Sequence, residues 1–170
     1  DKDTTTIHLR TLDILANVYL HTATLDSAYS LSNQCIKLIE NNSSYLFLPN
    51  IYQTRGRILS NLGASDEALK SLIKSDSLYE KSKNQELWKN NIYVKLILKD
   101  IFITQNQKIK AKKYLDLALK NIEHLDDDEL SNIVAENLGH WYITEGNLDK
   151  AKEIYEKQRK KYYPVLYQYT

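Results

Sequence analysis

The nine residues NLGASDEAL, 61–69, decide how this chain is read. Gly63 supplies the permissive backbone that a helix terminus uses, and a short polar break separates an apolar run before it from a second run after it. Working outward, Tyr52, Arg55, Gly56 and Leu59 precede the break, and Ala68, Leu72 and Ser75 follow it. Three other segments keep the same relative spacing. Leu12, Leu15, Ala16 and Tyr19 lead to Ala28, Ser32 and Cys35; Lys95, Leu98, Lys99 and Phe102 lead to Ala111, Leu115 and Ala118; Ala135, Leu138, Gly139 and Tyr142 lead to Ala151, Tyr155 and Gln158. The alanines Ala28, Ala68, Ala111 and Ala151 stand 40, 43 and 40 residues apart. Self-similarity at a period of about 40 residues is the mark of a repeat architecture.

Composition sets the class. Of 170 residues, 42% are apolar and 26% charged, with 23 basic against 22 acidic side chains and a formal charge of +1, which describes a soluble globular chain. Four glycines and two prolines fall far below the average usage of roughly 12%, so the tight turns of an all-β fold are missing and an almost all-helical protein is expected. Near-neutrality removes the long-range field that favours nucleic acid or an anionic membrane. No apolar run approaches the roughly 18 residues of a membrane span. A single cysteine, Cys35, excludes an internal disulfide framework. The sequence holds no methionine and reads as a piece of something longer.

Each copy starts with apolar residues at helical spacing, as in Ile7, Leu12, Leu15, Val18 and Tyr19 or Ile92, Leu96, Leu98 and Phe102, and a second helix follows the polar break. Helices are expected near 6–21, 26–40, 49–62, 66–82, 86–104, 108–123, 129–144 and 148–162. A small residue at Ala16, Gly56 or Gly139 opposite Ala28, Ala68 or Ala151 lets the two axes approach towards the lower end of the 8–10 Å range. Lys99 occupies that place in the third unit and predicts helices held apart there. Gly63 and Gly146 end the first helices, with Asn106 and Ala23 taking the same place in the third and first units. Pro49 fits the first turn of its helix, and residues 45–48 (YLFL) are expected to be non-helical and buried. The polar stretches 41–45, 83–86 and 126–129 separate the units.

The pattern resembles the tetratricopeptide repeat, W-x2-L-G-x2-Y followed by A-x3-F and a proline. The likeness runs from about Leu12 to Pro164 and is best in the second copy and in NLGHWY with EGNLDKA of the fourth, at 137–142 and 145–151. The period exceeds the family's usual 34 residues, which implies helices lengthened by about one to two turns. The resemblance implies that the first helix of each pair lines a concave binding groove. On this chain that groove would display Arg10, Asp13, Asn17 and His21, then Gln53, Arg57 and Asn61, then Tyr93, Leu96 and Asp100, then Ile133, Glu136 and His140. Family members that grip a C-terminal carboxylate use a lysine, arginine and asparagine cluster. The matching positions here hold Asp13, Gln53, Leu96 and Glu136, so an extended peptide or partner helix with charged and apolar anchors suits the groove better.

Catalytic and metal chemistry find no pattern to rest on. His8, His21, His124 and His140 lack ligand spacing, Cys35 sits on a packing face where a free thiol behaves as a small hydrophobe, and residues 126–129 lack the alternating ligands of a calcium loop and precede a helix N-terminus that favours negative charge. No phosphate-loop, dinucleotide or nucleophile-elbow motif occurs. Two basic runs, Lys108, Lys110, Lys112, Lys113 and Lys157, Arg159, Lys160, Lys161 beside Tyr162 and Tyr163, offer the alternative of nucleic-acid binding by the convex helices; near a helix C-terminus they also simply complement its dipole. Thirteen tyrosines are read mainly as core, Tyr19, Tyr52, Tyr142 and Tyr155 among them.

The sequence therefore predicts a single all-α domain over 1–170. It is a right-handed superhelical solenoid of about four helix pairs near 6–40, 46–82, 86–123 and 129–162, with 164–170 opening a further element. A protein or peptide partner is expected, with nucleic acid disfavoured, no cofactor, no metal and no enzymatic activity. The expected role is a sensory or regulatory segment of a larger bacterial signalling protein or transcription regulator. VLYQY, 165–169, offers a surface for end-to-end pairing with another copy.

Overall fold

Ala23, Gly63, Asn106 and Gly146 share one backbone state, with φ of 57°, 77°, 57° and 75°. Each follows the last turn of a first helix, and the amide after it closes a six-residue ring back onto that helix. Thr24, Ala64, Gln107 and Asn147 donate to the carbonyls of Tyr19, Leu59, Phe102 and Tyr142 at 2.8–2.9 Å. This is the Schellman termination, four times over. The residue closing each ring then begins the second helix, because its own carbonyl accepts from the repeat alanine, as Ala64 does from Ala68 at 2.9 Å.

The computed structural model describes residues 2–41, 47–82 and 86–162. Among them are eight helices and no strand: α1 (Lys2–His21), α2 (Leu25–Asn41), α3 (Leu48–Asn61), α4 (Ser65–Lys81), α5 (Glu86–Thr104), α6 (Lys108–Ile122), α7 (Asp128–Thr144) and α8 (Leu148–Tyr162). The expected all-α repeat solenoid is the observed architecture. α1 begins four residues before the periodicity placed it. Leu48 and Pro49 open α3, so Leu48 is helical rather than part of a buried loop. Phe47 is a half-buried turn residue; 45 and 46, like 83–85 and the 164–170 tail, lie outside the described residues.

Pairs α1–α2, α3–α4, α5–α6 and α7–α8 pack in sequence, and α2–α3, α4–α5 and α6–α7 join one pair to the next. Ala16, Ala28, Ala68 and Ala111 are fully buried and Ala151 nearly so, as close helix approach requires. The structure adds what fills the space beside each glycine. A Cβ on Gly56 would stand 2.5 Å from Leu72 Cγ, and one on Gly139 would stand 2.6 Å from Tyr155 Cζ. Leu72 and Tyr155 are equivalent repeat positions, one turn beyond Ala68 and Ala151.

Lys99 does not wedge the third pair apart. Ala111 and Leu115 of α6 are fully buried, and Phe102 stacks on Tyr114 with ring centroids 5.5 Å apart. The Lys99 ammonium leaves the α5–α6 contact and reaches Asn137 Oδ1 on α7 at 2.7 Å and Asp100 Oδ1 at 2.5 Å. A long flexible stem lets the charge travel to these polar partners. Lys95, at a position bulky in the first two copies, is also fully buried and is neutralised by Asp76 of α4 at 2.5 Å, with Asn91 Oδ1 at 2.6 Å.

In α1, the apolar period is only half core: Leu9, Leu12 and Leu20 are buried, whereas Ile7, Leu15 and Val18 are exposed.

Candidate functional site

Curvature follows from which helices touch. Among the described residues α1 contacts α3, α3 contacts α5 and α5 contacts α7, while no second helix contacts the next second helix. The row in contact is the shorter path, so α1, α3, α5 and α7 form the inner face and α2, α4, α6 and α8 splay on the outer one. Every residue expected in the groove lies on the inner row, and its two halves differ in kind.

In the N-terminal half the polar groups satisfy one another. Asn17 Nδ2 donates to Thr54 Oγ1 at 2.8 Å and to the Asp13 carbonyl at 3.2 Å, and Arg57 Nη1 donates to Asn17 Oδ1 at 3.1 Å. Tyr79 of α4 reaches through to donate its hydroxyl to Gln53 Oε1 at 2.8 Å, and Asn61 Nδ2 donates to the Arg57 carbonyl. Burial raises the Asp13 carboxyl above the ordinary range, against the Thr54 hydroxyl and Arg57, which pull it down. Burial likewise lowers Arg57, with Asp13 opposing. Such a network holds α1 to α3 and leaves Arg10 and His21 exposed at its edges. The Arg10 guanidinium lies over the Phe47 ring, 5.3 Å from its centroid.

The C-terminal half opens into a cleft of about 400 Å³ between α5 and α7, lined by Lys99, Asp100, Ile103, Glu136, Asn137, His140, Trp141 and Thr144. Asp100, Glu136 and His140 were expected there. Lys99 and Asn137, which together make the polar floor, were not, since a lysine at a small-residue site gives no hint of the direction it takes. Ile103 and Trp141 add apolar wall. Tyr93 is partly exposed further along α5, and Ile133 is half-buried against the core. Leu96 is a correction: it is buried in the main core with Val94 and Leu98 and is unavailable to a ligand. α5 is apolar on more than one face because it contacts α3, α4, α6 and α7.

Elsewhere the groups weighed for chemistry are in structural use. Cys35 is buried, its Sγ 3.9 Å from the Leu9 carbonyl, and burial followed by the Asp13 charge pushes its thiol up to about 12, the reverse of nucleophile activation. Asp127 caps α7 by accepting from the Leu130 amide at 2.9 Å and pairs with Lys89 at 2.7 Å. The basic runs are largely engaged: Lys108 pairs with Glu145, Lys112 with Asp116 and Lys161 with Asp128, while Lys110 lies 5.4 Å from the Phe102 ring centroid. No group of three or more His, Cys, Asp or Glu among the described residues is placed to hold a metal ion, and no described helix is long and apolar enough to cross a membrane.

A tetratricopeptide-repeat family model matches residues 49–89 and 135–158, the second and fourth copies. No curated protein sequence matches the chain. Among solved structures, it is similar to a STAND (signal transduction ATPase with numerous domains) protein with a tetratricopeptide repeat sensor from Pyrococcus horikoshii. The identity is 22% over 92% of this chain and 24% of that one, with a TM-score of 0.79. It is also similar to BtubC from P. vanneervenii, with 19% identity over 93% of this chain and 63% of that one and a TM-score of 0.76. A Podosopora anserina protein of kinesin-light-chain type with nearly identical TPR-like repeats matches with 17% identity over 91% of this chain and 76% of that one, at a TM-score of 0.74. The chain thus spans about a quarter of the first of these proteins and under two thirds of the second.

Proposed function

From the premise that this chain belongs to the tetratricopeptide-repeat family, we propose that it is a non-enzymatic interaction module whose inner row holds an extended peptide or partner helix, anchored in the α5–α7 cleft. The observation that carries this reading is the contrast along the row. Asp13, Asn17, Thr54 and Arg57 consume one another's hydrogen bonds, whereas the cleft is open, with apolar wall at Ile103 and Trp141 and exposed polar groups at Asp100, Glu136 and His140. A few convergent polar groups on apolar walls are what a peptide anchor needs. The exposed Glu136 carboxylate, which accepts from Asn132 Nδ2 at 3.4 Å, favours a basic side chain on the ligand. Engagement of Lys108, Lys112 and Lys161 with acidic partners supports a peptide over nucleic acid.

The role of the parent polypeptide is part of the same proposal. Likeness to the repeat sensor of a signal-transduction ATPase supports a sensory or regulatory segment of a larger bacterial signalling protein or transcription regulator, in which groove occupancy reports to a distant output. Selection from a displayed random-peptide library tests the binding reading. Enriched peptides are expected to carry a basic residue and to lose at least tenfold in affinity against Glu136→Gln or Asp100→Asn with circular dichroism unchanged. Equal capture by both variants contradicts it.

A further inference from the structure

The α4–α5 joint carries charge where its counterparts carry none. In repeat register Asp76 and Lys95 stand where the α2–α3 joint has Ile36 and Tyr52 and the α6–α7 joint has Leu119 and Ala135. Stacking therefore does not require the ion pair, and a buried pair is often no better for stability than apolar residues of its size. Beside it, along the edge where α4 and α6 end and α5 begins, lies a cavity of about 320 Å³ with Glu80, Trp88, Asn91, Asn121 and His124 in its wall. It shares no lining residue with the α5–α7 cleft.

The charge left over in this cavity is negative. Lys95 is fully buried, and its ammonium protons are taken by Asp76 Oδ1 at 2.5 Å, Asn91 Oδ1 at 2.6 Å and Glu80 Oε1 at 3.1 Å. An ammonium has three donors, so none remains for an anion. One cation against two carboxylates leaves one negative charge, and Glu80, with 54% of its side chain exposed, is the carboxylate open to solvent. Lys81 and Glu123, next along α4 and α6, are exposed and opposite in sign. Two helix C-termini, of α4 and α6, meet the single N-terminus of α5, so the helix dipoles add to the negative side. Burial, followed by the charges of Asp76 and Glu80, raises the nearby Tyr114 hydroxyl.

The remaining wall narrows the ligand. Asn91 Oδ1 already accepts from Lys95 and from Asn121, which fills both its lone pairs and directs an incoming donor to Glu80. Trp88 stands against His124, ring centroids 6.4 Å apart at 69°. A carboxylate beside an indole suits a guanidinium, which meets the first through its planar fork and packs on the second.

We propose that this cavity is a guanidinium site, separate from the inner-row cleft, in which an arginine side chain carried by a partner polypeptide pairs with Glu80 and packs on Trp88. The saturated Lys95 cannot receive an α-carboxylate and Glu80 repels one, so arginine within a chain fits better than the free amino acid.

The test uses the intact chain carrying Trp141→Phe, in which Trp88 is the only indole, titrated near neutral pH with N-acetylarginine methylamide. A saturable change in Trp88 emission is expected. The matching citrulline amide, similar in shape but uncharged, is expected to bind at least about tenfold more weakly, and free arginine more weakly than its amide. Glu80→Gln is expected to cost at least about tenfold with circular dichroism unchanged, and Glu136→Gln to leave the emission titration as it was. No saturable change, an equal response to the citrulline amide, or binding untouched by Glu80→Gln overturns the proposal; the citrulline comparison needs no variant and holds even if Glu80→Gln fails to fold. Binding lost in Glu136→Gln but kept in Glu80→Gln also overturns it, by placing the cation in the α5–α7 cleft. Tighter binding of free arginine than of its amide overturns the polypeptide source.

Discussion

Lys95 Nζ lies 2.5 Å from Asp76 Oδ1, with the lysine side chain fully buried at the α4–α5 joint. Asn91 is bonded to both, its Nδ2 donating to Asp76 at 2.7 Å and its Oδ1 accepting from Lys95, and Asn121 of α6 donates to the same Oδ1 at 3.0 Å. Removing one partner from a buried ion pair leaves the other charge desolvated and typically costs about 3–5 kcal/mol. Lys95→Met is therefore expected to lose stability on that scale in urea unfolding, and Lys95→Met with Asp76→Leu to recover most of it. A double variant as damaged as the single one would show that shape, and not charge, is the issue.

Gly56 and Gly139 occupy the same repeat position but differ in what they face. At Gly56 the neighbour is Leu72, fully buried and fixed; at Gly139 it is the outer end of Tyr155, only partly buried. Overpacking costs about 1–3 kcal/mol when neighbours cannot move, and alanine gains about 1 kcal/mol over glycine in a helix. Gly56→Ala is expected to lower stability clearly, Gly139→Ala to be close to neutral. Equal losses at the two sites would contradict the difference in packing.

Ala23 adopts a φ of 57° where the second and fourth units have glycine. A left-handed conformation costs a side-chain-bearing residue about 1–2 kcal/mol. Ala23→Gly is expected to raise the thermal midpoint, by about 1 kcal/mol of stability, and Gly63→Ala to lower it by a similar amount. No change at either site would mean that the Schellman ends are not strained.

Two carboxylates give opposite pH signatures. Asp13 is raised by burial, so the folded state takes up its proton first, and its contribution to stability grows as pH falls through the folded value, levelling off below the ordinary pKa of about 3.9. Asp127 is lowered, first by the Leu130 amide and then by Lys89; its contribution is present above the ordinary value and is lost as pH falls through the lowered folded one. In urea titrations between pH 7 and 3, the stability of the wild type relative to Asp13→Asn is expected to rise towards acid. Relative to Asp127→Asn it is expected to fall below about pH 4. The same trend for both variants would contradict the assignment.

What the sequence made legible was set by local rules. Small residues at Ala16, Gly56 and Gly139, helix ends at Ala23, Gly63, Asn106 and Gly146, and the capping acids at 126–129 follow from backbone sterics and hydrogen bonding within a few residues. Lys95 and Lys99 were opaque because their partners, Asp76 and Asn137, are 19 and 38 residues away and no periodicity records a pairing. Leu96 was misplaced because α5 is apolar on several faces, so period alone cannot say which one meets the groove. Val18 shows the same blindness from the other side: its spacing is that of a core residue, yet it is exposed because no helix among the described residues covers it.

The most direct test of the inner-row account is hydrogen exchange of the chain alone and with a library-selected peptide. The account predicts slowed exchange concentrated in α5 and α7 around Asp100, Glu136 and His140, with α6 and α8 unchanged. Protection confined to α6 and α8, with the inner row exchanging as before, would contradict it.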